Sequence, residues 1–210
     1  TPTGTVSFNV TWTDWNTSGI GVFISVNRSG AVTTYAASNT SATVWNLTLS
    51  GFPAGVHYWR TNATDVYGNK NDSGAWIAIN IPLAAPVTTL YLGDTAGANT
   101  VNEDTNLWLN GTMGTGDSNY ILNMYLDGAI FATNTSGPVI NQTSFANPGV
   151  RTFTLNYTAT GNYTALSTSY VLSVNDTTPP ASSGEWNQNA TFTPTGTVSF
   201  NVTWTDWNTS

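Results

Sequence analysis

Residues 1–18 and residues 193–210 carry the same eighteen letters, TPTGTVSFNVTWTDWNTS, at an offset of 193 − 1 = 192 positions. Chance does not produce an identical match of that length with two tryptophans in it. A period of 192 residues far exceeds the roughly 20–50 of a solenoid unit. The repeating object is therefore one or two whole domains. The sequence reads as a window on a longer chain that continues into the next copy.

The repeated segment also sets the structural class. Val6, Phe8, Val10 and Trp12 alternate with Thr5, Ser7, Asn9 and Thr11, the pattern of a half-buried strand. Similar short runs are expected as strands at Ile20–Val26, Val44–Leu49, Val56–Asn62 and Trp76–Ile81. A second set follows at Thr88–Leu92, Asn106–Asn110, Ile121–Leu126, Ala129–Ala132, Arg151–Thr158 and Ser169–Asn175. Arg28-Ser29-Gly30, Gly51-Phe52-Pro53 and Gly68–Gly74 carry turn chemistry between runs, and Asp127-Gly128 is a hairpin signal. No long segment keeps a helical period.

Punctuation divides the period in two. The IPLAAP stretch at Ile81–Pro86 reads as one linker, and Asn175–Gly184, with two consecutive prolines, as another. The expected organisation is residues 1–81 as a sandwich missing its first segment, which lies in the preceding copy. Residues 84–174 form a second sandwich, 175–184 a Pro-containing linker, and 185–210 the start of the next copy of the first domain. In its natural frame the first domain begins near Ser182 of one copy and ends near Ile81 of the next. Both units suit a sandwich of roughly 100 residues.

Composition narrows the environment. Charged residues are 7% of the chain, and eleven acidic against four basic side chains give a net charge of −7. Aromatics at 12% supply apolar surface to bury, against disorder. Arg28, Arg60, Lys70 and Arg151 form no patch, so the field repels phosphate and nucleic acid is not an expected partner. No apolar run approaches the ~20 residues of a membrane-spanning helix. Cysteine is absent, which excludes disulfides, zinc thiolates and thiol chemistry and points away from disulfide-stapled animal domains.

Several segments resemble immunoglobulin-like and fibronectin-like repeats of bacterial and archaeal surface proteins. VRTFTLNYTATGNYTALSTSYVLSV at Val150–Val174 is similar to the last strands of such repeats, with their Tyr-x-Ala-x-Gly-Asn-Tyr core. GVHYWRTNATDVYG at Gly55–Gly68 resembles a penultimate strand and turn, and DTTPP and TDWNTSGIGVFISVN resemble module openings. The resemblance implies an all-β fold of two immunoglobulin-like β-sandwich domains per 192-residue repeat, arranged end to end. It also implies a surface-protein context and no activity. The missing cysteine pair excludes an antibody-type core.

Asn-x-Ser/Thr sequons occur at Asn9, Asn16, Asn27, Asn39, Asn46, Asn62, Asn71, Asn110, Asn134, Asn141, Asn156, Asn162, Asn175, Asn189, Asn201 and Asn208. That is 16 of 25 asparagines, where a Ser and Thr content of 27% yields 25 × 0.27, about 7. Asn9, Asn46 and Asn156 fall on the polar phase of alternating strands, where a glycan needs to stand. Asparagine and threonine are also ordinary turn and strand-surface residues, so some of the sixteen are expected bare. Only Asn16 and Asn208 have an acidic residue two positions before them, as one bacterial transferase type requires. The set as a whole fits an archaeal enzyme better.

Catalytic residues are not expected. His57 is the only histidine and sits in a strand-like run, while Glu103-Asp104 is an adjacent pair in a loop. Asp65, Asp94, Glu103, Asp104 and Asp117 offer oxygens for calcium, but no Asp-x-Asp-x-Asp spacing supports a site. No cofactor beyond covalent N-linked glycans is expected. The reading is a structural unit of a long, heavily N-glycosylated extracellular filament or cell-surface stalk, with neighbouring copies as partners. One alternative is an adhesin or carbohydrate-binding module using Trp12, Trp15, Trp204 and Trp207, near Asp14 and Asp206. The other is a subunit that polymerises by donor-strand exchange through a strand such as Val198–Trp204.

Overall fold

The computed structural model describes residues 4–14, 19–187 and 200–205. Within them the chain is strand and turn with no α-helix, hence no helix long and apolar enough to cross a membrane. The strands make two β-sandwiches, each with its own core, followed by an isolated hairpin.

The first sandwich contains β1 (Gly4–Thr11), β2 (Gly21–Arg28), β3 (Ala31–Ala36), β4 (Ser38–Asn39), β5 (Val44–Phe52), β6 (Gly55–Thr64), β7 (Lys70–Asp72) and β8 (Ile77–Ile81). One sheet runs β1-β5-β4. The facing sheet runs β3-β2-β6, with β7 and β8 pairing successive stretches of β6. Phe8 and Val10 point inward from β1 while Ser7, Asn9 and Thr11 stay outside, as the alternation predicts. They meet Val22, Ile24 and Val26 of β2 and Ala63 of β6, with Trp45 and Phe52 closing the core.

The second sandwich contains β9 (Val87–Leu92), β10 (Thr95–Ala96), β11 (Asn99–Asn102), β12 (Leu107–Thr115), β13 (Ile121–Leu126), β14 (Ala129–Thr135), β15 (Val139–Thr143), β16 (Gly149–Tyr157) and β17 (Leu166–Asn175). Its sheets run β10-β9-β12-β15 and β11-β17-β16-β13-β14. Every pairing is antiparallel except β11 on β17. Leu90, Leu92, Leu109, Leu122, Met124, Phe153, Leu155 and Leu172 are fully buried between the sheets. The layers close tightly at Gly111 of β12, where a Cβ would lie 2.5 Å from Leu155 Cδ1 and 2.7 Å from Val139 Cγ1.

Two hairpins turn on residue pairs readable in advance. Ser29 and Gly30 (φ 53° and 96°) join β2 to β3, and Asp127 and Gly128 (φ 49° and 86°) join β13 to β14. Positive φ at both central positions matches the turn to the right-handed twist of the strands. Asp127 Oδ1 also accepts from the Thr152 N–H at 2.8 Å, tying the hairpin to β16.

Structure and sequence expectation part at the second linker. Residues 175–184 read as linker, yet β18 (Ala181–Asn187) begins inside that stretch and pairs antiparallel with β19 (Phe200–Thr205). The prolines end the extended linker at 180, and the small polar residues after it take strand geometry once a partner lies alongside.

The two cores are separately replaceable. Trp45→Ala should destabilise the first sandwich by about 3–5 kcal/mol, and Leu155→Ala the second by about 2–5 kcal/mol. Denaturant titration followed by residue-resolved hydrogen exchange should show each loss confined to its own sandwich. Protection lost in both from one substitution would show a single cooperative unit.

Candidate functional site: outward sequons and the joint at Asn162

Thirteen of the sequon asparagines lie in the described residues; Asn16, Asn189 and Asn208 lie outside them, as do Trp15, Trp207 and Asp206. None of the thirteen is buried. Asn9, Asn39, Asn71, Asn175 and Asn201 are exposed, and Asn27, Asn46, Asn62, Asn110, Asn134, Asn141, Asn156 and Asn162 are half-buried. Backbone phase explains this on strands, because Asn110 alternates with buried Leu109 and Gly111, and Asn156 with buried Leu155 and Tyr157.

Their amides differ in freedom. Asn46 Nδ2 donates to Asn9 Oδ1 at 2.7 Å across the β1–β5 pair, so two sequons face each other directly. Asn27 Oδ1 caps the β2–β3 turn by accepting from the Gly30 N–H at 2.9 Å. Asn134 Nδ2 donates to the Pro138 carbonyl at 2.7 Å. Asn110 and Asn156, by contrast, have an Oδ1 with no hydrogen-bond partner although neighbouring side chains cover it. Trp108, 57% exposed, stands two residues before Asn110 on the same face of β12, and Tyr91 lies opposite Asn110 across the ladder.

Asn162 is the most constrained of the set. Its Nδ2 donates to Asp117 Oδ1 at 3.1 Å, and its Oδ1 accepts from the Ala54 N–H of the first sandwich at 3.0 Å. Its carbonyl accepts from the Ala84 N–H at 2.9 Å, and the Ala84 carbonyl accepts from the Thr164 N–H at 2.9 Å. The IPLAAP segment is thus laced to the Thr160–Thr164 turn through a parallel bridge between Ala84 and Tyr163. One asparagine joins the β5–β6 turn of one sandwich, the linker and a loop of the other. Nothing in the local sequence marked this role, because Asp117 lies 45 positions away.

Asp117 organises that loop. The Thr160 hydroxyl donates to its Oδ2, its own N–H donates to Tyr157 Oη at 3.2 Å, and its side chain is 7% exposed. The Thr160 and Asn162 donors hold the carboxyl below the ordinary aspartate range, against the opposing effect of burial. Burial, then the nearby Asp117 charge, pushes the Tyr163 phenol up.

The residues weighed for other chemistry are placed separately. His57 Nε2 donates to the Pro53 carbonyl at 2.9 Å, and its ring meets Phe52 edge-on, a packing role in the β5–β6 turn. Glu103 accepts from Thr177 and Thr178, and the Thr178 hydroxyl chiefly lowers its pKa. Asp65 caps its turn through Asn69 and Tyr67, with the Asn69 side chain the main cause of its lowered pKa. Asp94 and Asp104 lie in exposed turns. Among the described residues no three His, Asp or Glu side chains converge as metal ligands. Three of the four basic residues lie over aromatic rings, Arg28 over Phe52, Arg60 over Trp76 and Arg151 over Phe145.

Trp12 is half-buried, its indole N–H donating to Thr61 Oγ1 at 3.0 Å. It lines a cleft of about 200 Å³ with Asp14, Ile20, Asp65 and Lys70, and the sequon residue Asn71 stands in the same wall.

No family model and no curated protein matches the chain. Solved structures align with it at low identity. The fibronectin(III)-like modules of CbhA from Clostridium thermocellum align over 81% of this chain and 86% of theirs, at 13% identity and a TM-score of 0.35. A putative membrane anchored protein from Corynebacterium diphtheriae aligns over 86% of this chain at 9% identity and a TM-score of 0.38. The aligned part is 53% of that protein, so the chain spans about half its length. The central fibronectin-III array of RIM-binding protein aligns over 94% of this chain and 73% of its own, at 11% identity and a TM-score of 0.31. The sandwich assignment rests on strand order and register within this chain.

The Asp117 network gives a pH signature. A carboxyl whose folded pKa is depressed contributes stability above its unfolded pKa and loses it as pH falls through the folded value. The second sandwich should therefore weaken below about pH 4. Asp117→Asn should weaken it at pH 7, by about 1–3 kcal/mol, and flatten the acid limb of a melting-temperature profile. An unchanged acid limb would remove Asp117 from this role.

Proposed function

We propose that the chain is a structural repeat unit of a long, N-glycosylated extracellular or cell-surface array of tandem immunoglobulin-like sandwiches. The observation that carries the reading is the identical strand at a 192-residue spacing, joined to thirteen described sequon asparagines of which none is buried. Residues 84–174 act as one bead; the other starts after the Asn175–Pro180 stretch of one copy and runs to Ile81 of the next. The Asn162 joint holds neighbouring beads in a fixed relation, as suits a spacer rather than a hinge.

Glycans supply what the side chains do not. With 7% charged residues the surface has little to keep it apart from other chains, and exposed strand edges invite lateral pairing. A sugar on Asn110 would cover Trp108, and one on Asn156 would stand over the groove beside Tyr125 and Asn123. The breadth of sequon use favours an archaeal transferase. An adhesin would keep an aromatic cleft clear of sugars, whereas the cleft at Trp12 has Asn71 in its wall.

Site-resolved glycopeptide mass spectrometry on native material tests this. Glycans are expected at most outward asparagines, including Asn110 and Asn156, on only one of Asn9 and Asn46 in any copy, and not on Asn162. Bare asparagines throughout would overturn the glycosylated array.

A further inference from the structure

The same row of outward side chains occurs once in each sandwich. In the first, Val32 of β3, Asn27 of β2, Tyr58 of β6 and Ala78 of β8 stand opposite one another across four paired strands. In the second, Ile140 of β15, Asn110 of β12, Tyr91 of β9 and Ala96 of β10 do the same. Each row reads β-branched aliphatic, asparagine, tyrosine, alanine. Asn27 nevertheless comes first of its row along the chain and Asn110 third of its own, so the likeness does not follow from strand order. Both asparagines open sequons, Asn27-Arg28-Ser29 and Asn110-Gly111-Thr112.

The apolar members of these rows lie open: Val32 is 54%, Tyr58 44% and Ile140 53% exposed. Aliphatic and aromatic residues gain on a pleated surface by packing against their neighbours, yet here the neighbour on the central strand is a polar amide. Directly opposed side chains stand about 4.5–5.5 Å apart at Cβ, so a group carried by the asparagine reaches both flanks. The amides suit that arrangement. Asn27 Oδ1 is held by the Gly30 N–H, and Asn110 Oδ1 is covered by its neighbours. Neither Nδ2, the atom that takes a sugar, donates a hydrogen bond among the described residues, whereas those of Asn46, Asn134 and Asn162 do. The second row extends further, because Trp108 shares its face and β9 ends there at Gly93, whose N–H donates to the Trp108 carbonyl at 2.8 Å.

We propose that the two rows are seats for the chain's own N-linked sugars, with the first pyranose on Asn27 and on Asn110 lying over the neighbouring tyrosine and flanked by Val32 or Ile140. One face of a pyranose is lined with C–H groups, and an aromatic ring offers a flat apolar surface with a negative face to match it. Trp108 lengthens the Asn110 seat towards a second sugar. Other sequons have no such flanks: Asn9 faces Asn46, and Asn156 faces Asn123 and Ser167. Sugars there stand off the sheet. The inference rests on the glycosylated reading and adds that two of its glycans are packed parts of the sandwiches, which removes exposed apolar surface from each.

The test reads the sugars directly. The 210-residue chain from an N-glycosylating host is compared by NMR with its Tyr58→Ser and Tyr91→Ser variants, each altered at an outward side chain. Ring protons of the first sugar on Asn27 and Asn110 should be shifted upfield by the tyrosine relative to those on Asn156. Tyr58→Ser should remove the shift at Asn27 and leave Asn110 unchanged, and Tyr91→Ser should do the reverse. Removing the sugars should lower the melting temperature of the unaltered chain more than that of either variant. Sugar protons on occupied Asn27 and Asn110 that match those on Asn156 would overturn the seats and leave the glycosylated array standing. Bare Asn27 and Asn110 in native material would overturn the seats, and bare asparagines throughout would overturn the array reading with them.

Discussion

A β-strand buried in a sheet has two rows of backbone donors and acceptors, and both rows need partners. The repeated strand makes this the governing constraint. Its side chains are settled by alternation, with Phe8 and Val10 inside and Asn9 and Thr11 outside. One copy of the strand pairs with β5 and the other with β18.

The surface follows from a different shortage. Eleven carboxylates and four bases give weak charge repulsion between chains, and three of the bases are drawn onto aromatic rings. Hydroxyls and amides cover the outer faces instead. Such a surface suits a protein whose outermost layer is carbohydrate. Buried Asp117, with half-buried Thr160 and Asn162 donating to it, serves geometry at the junction between sandwiches.

Much of the architecture was legible because apolar alternation and turn chemistry are local. The Asp127-Gly128 and Ser29-Gly30 turns fell where their residues placed them, and β1, β2 and β13 follow their apolar phases, whereas β6 buries His57 and Thr61 and exposes Val56 and Tyr58. Strands held by a partner rather than by their own pattern were not legible. β3 is almost wholly exposed, β15 is five residues long, and the parallel strand β11 exists only because β17 lies beside it. β18 was hidden by its Ala-Ser-Ser-Gly opening. The candidate sites divide the same way. The sequons could be read and their outward phase anticipated, while the clamp on Asn162 depends on Asp117 and Ala54, each brought in by tertiary structure. The Tyr-x-Ala-x-Gly-Asn-Tyr segment carried the family resemblance without revealing the joint.

The length of the native polypeptide tests the central claim most directly. Intact mass after complete removal of glycans should give one covalent chain spanning several 192-residue periods, unchanged by denaturant. A denatured chain holding a single period would contradict the tandem array and leave strand exchange between separate subunits as the alternative.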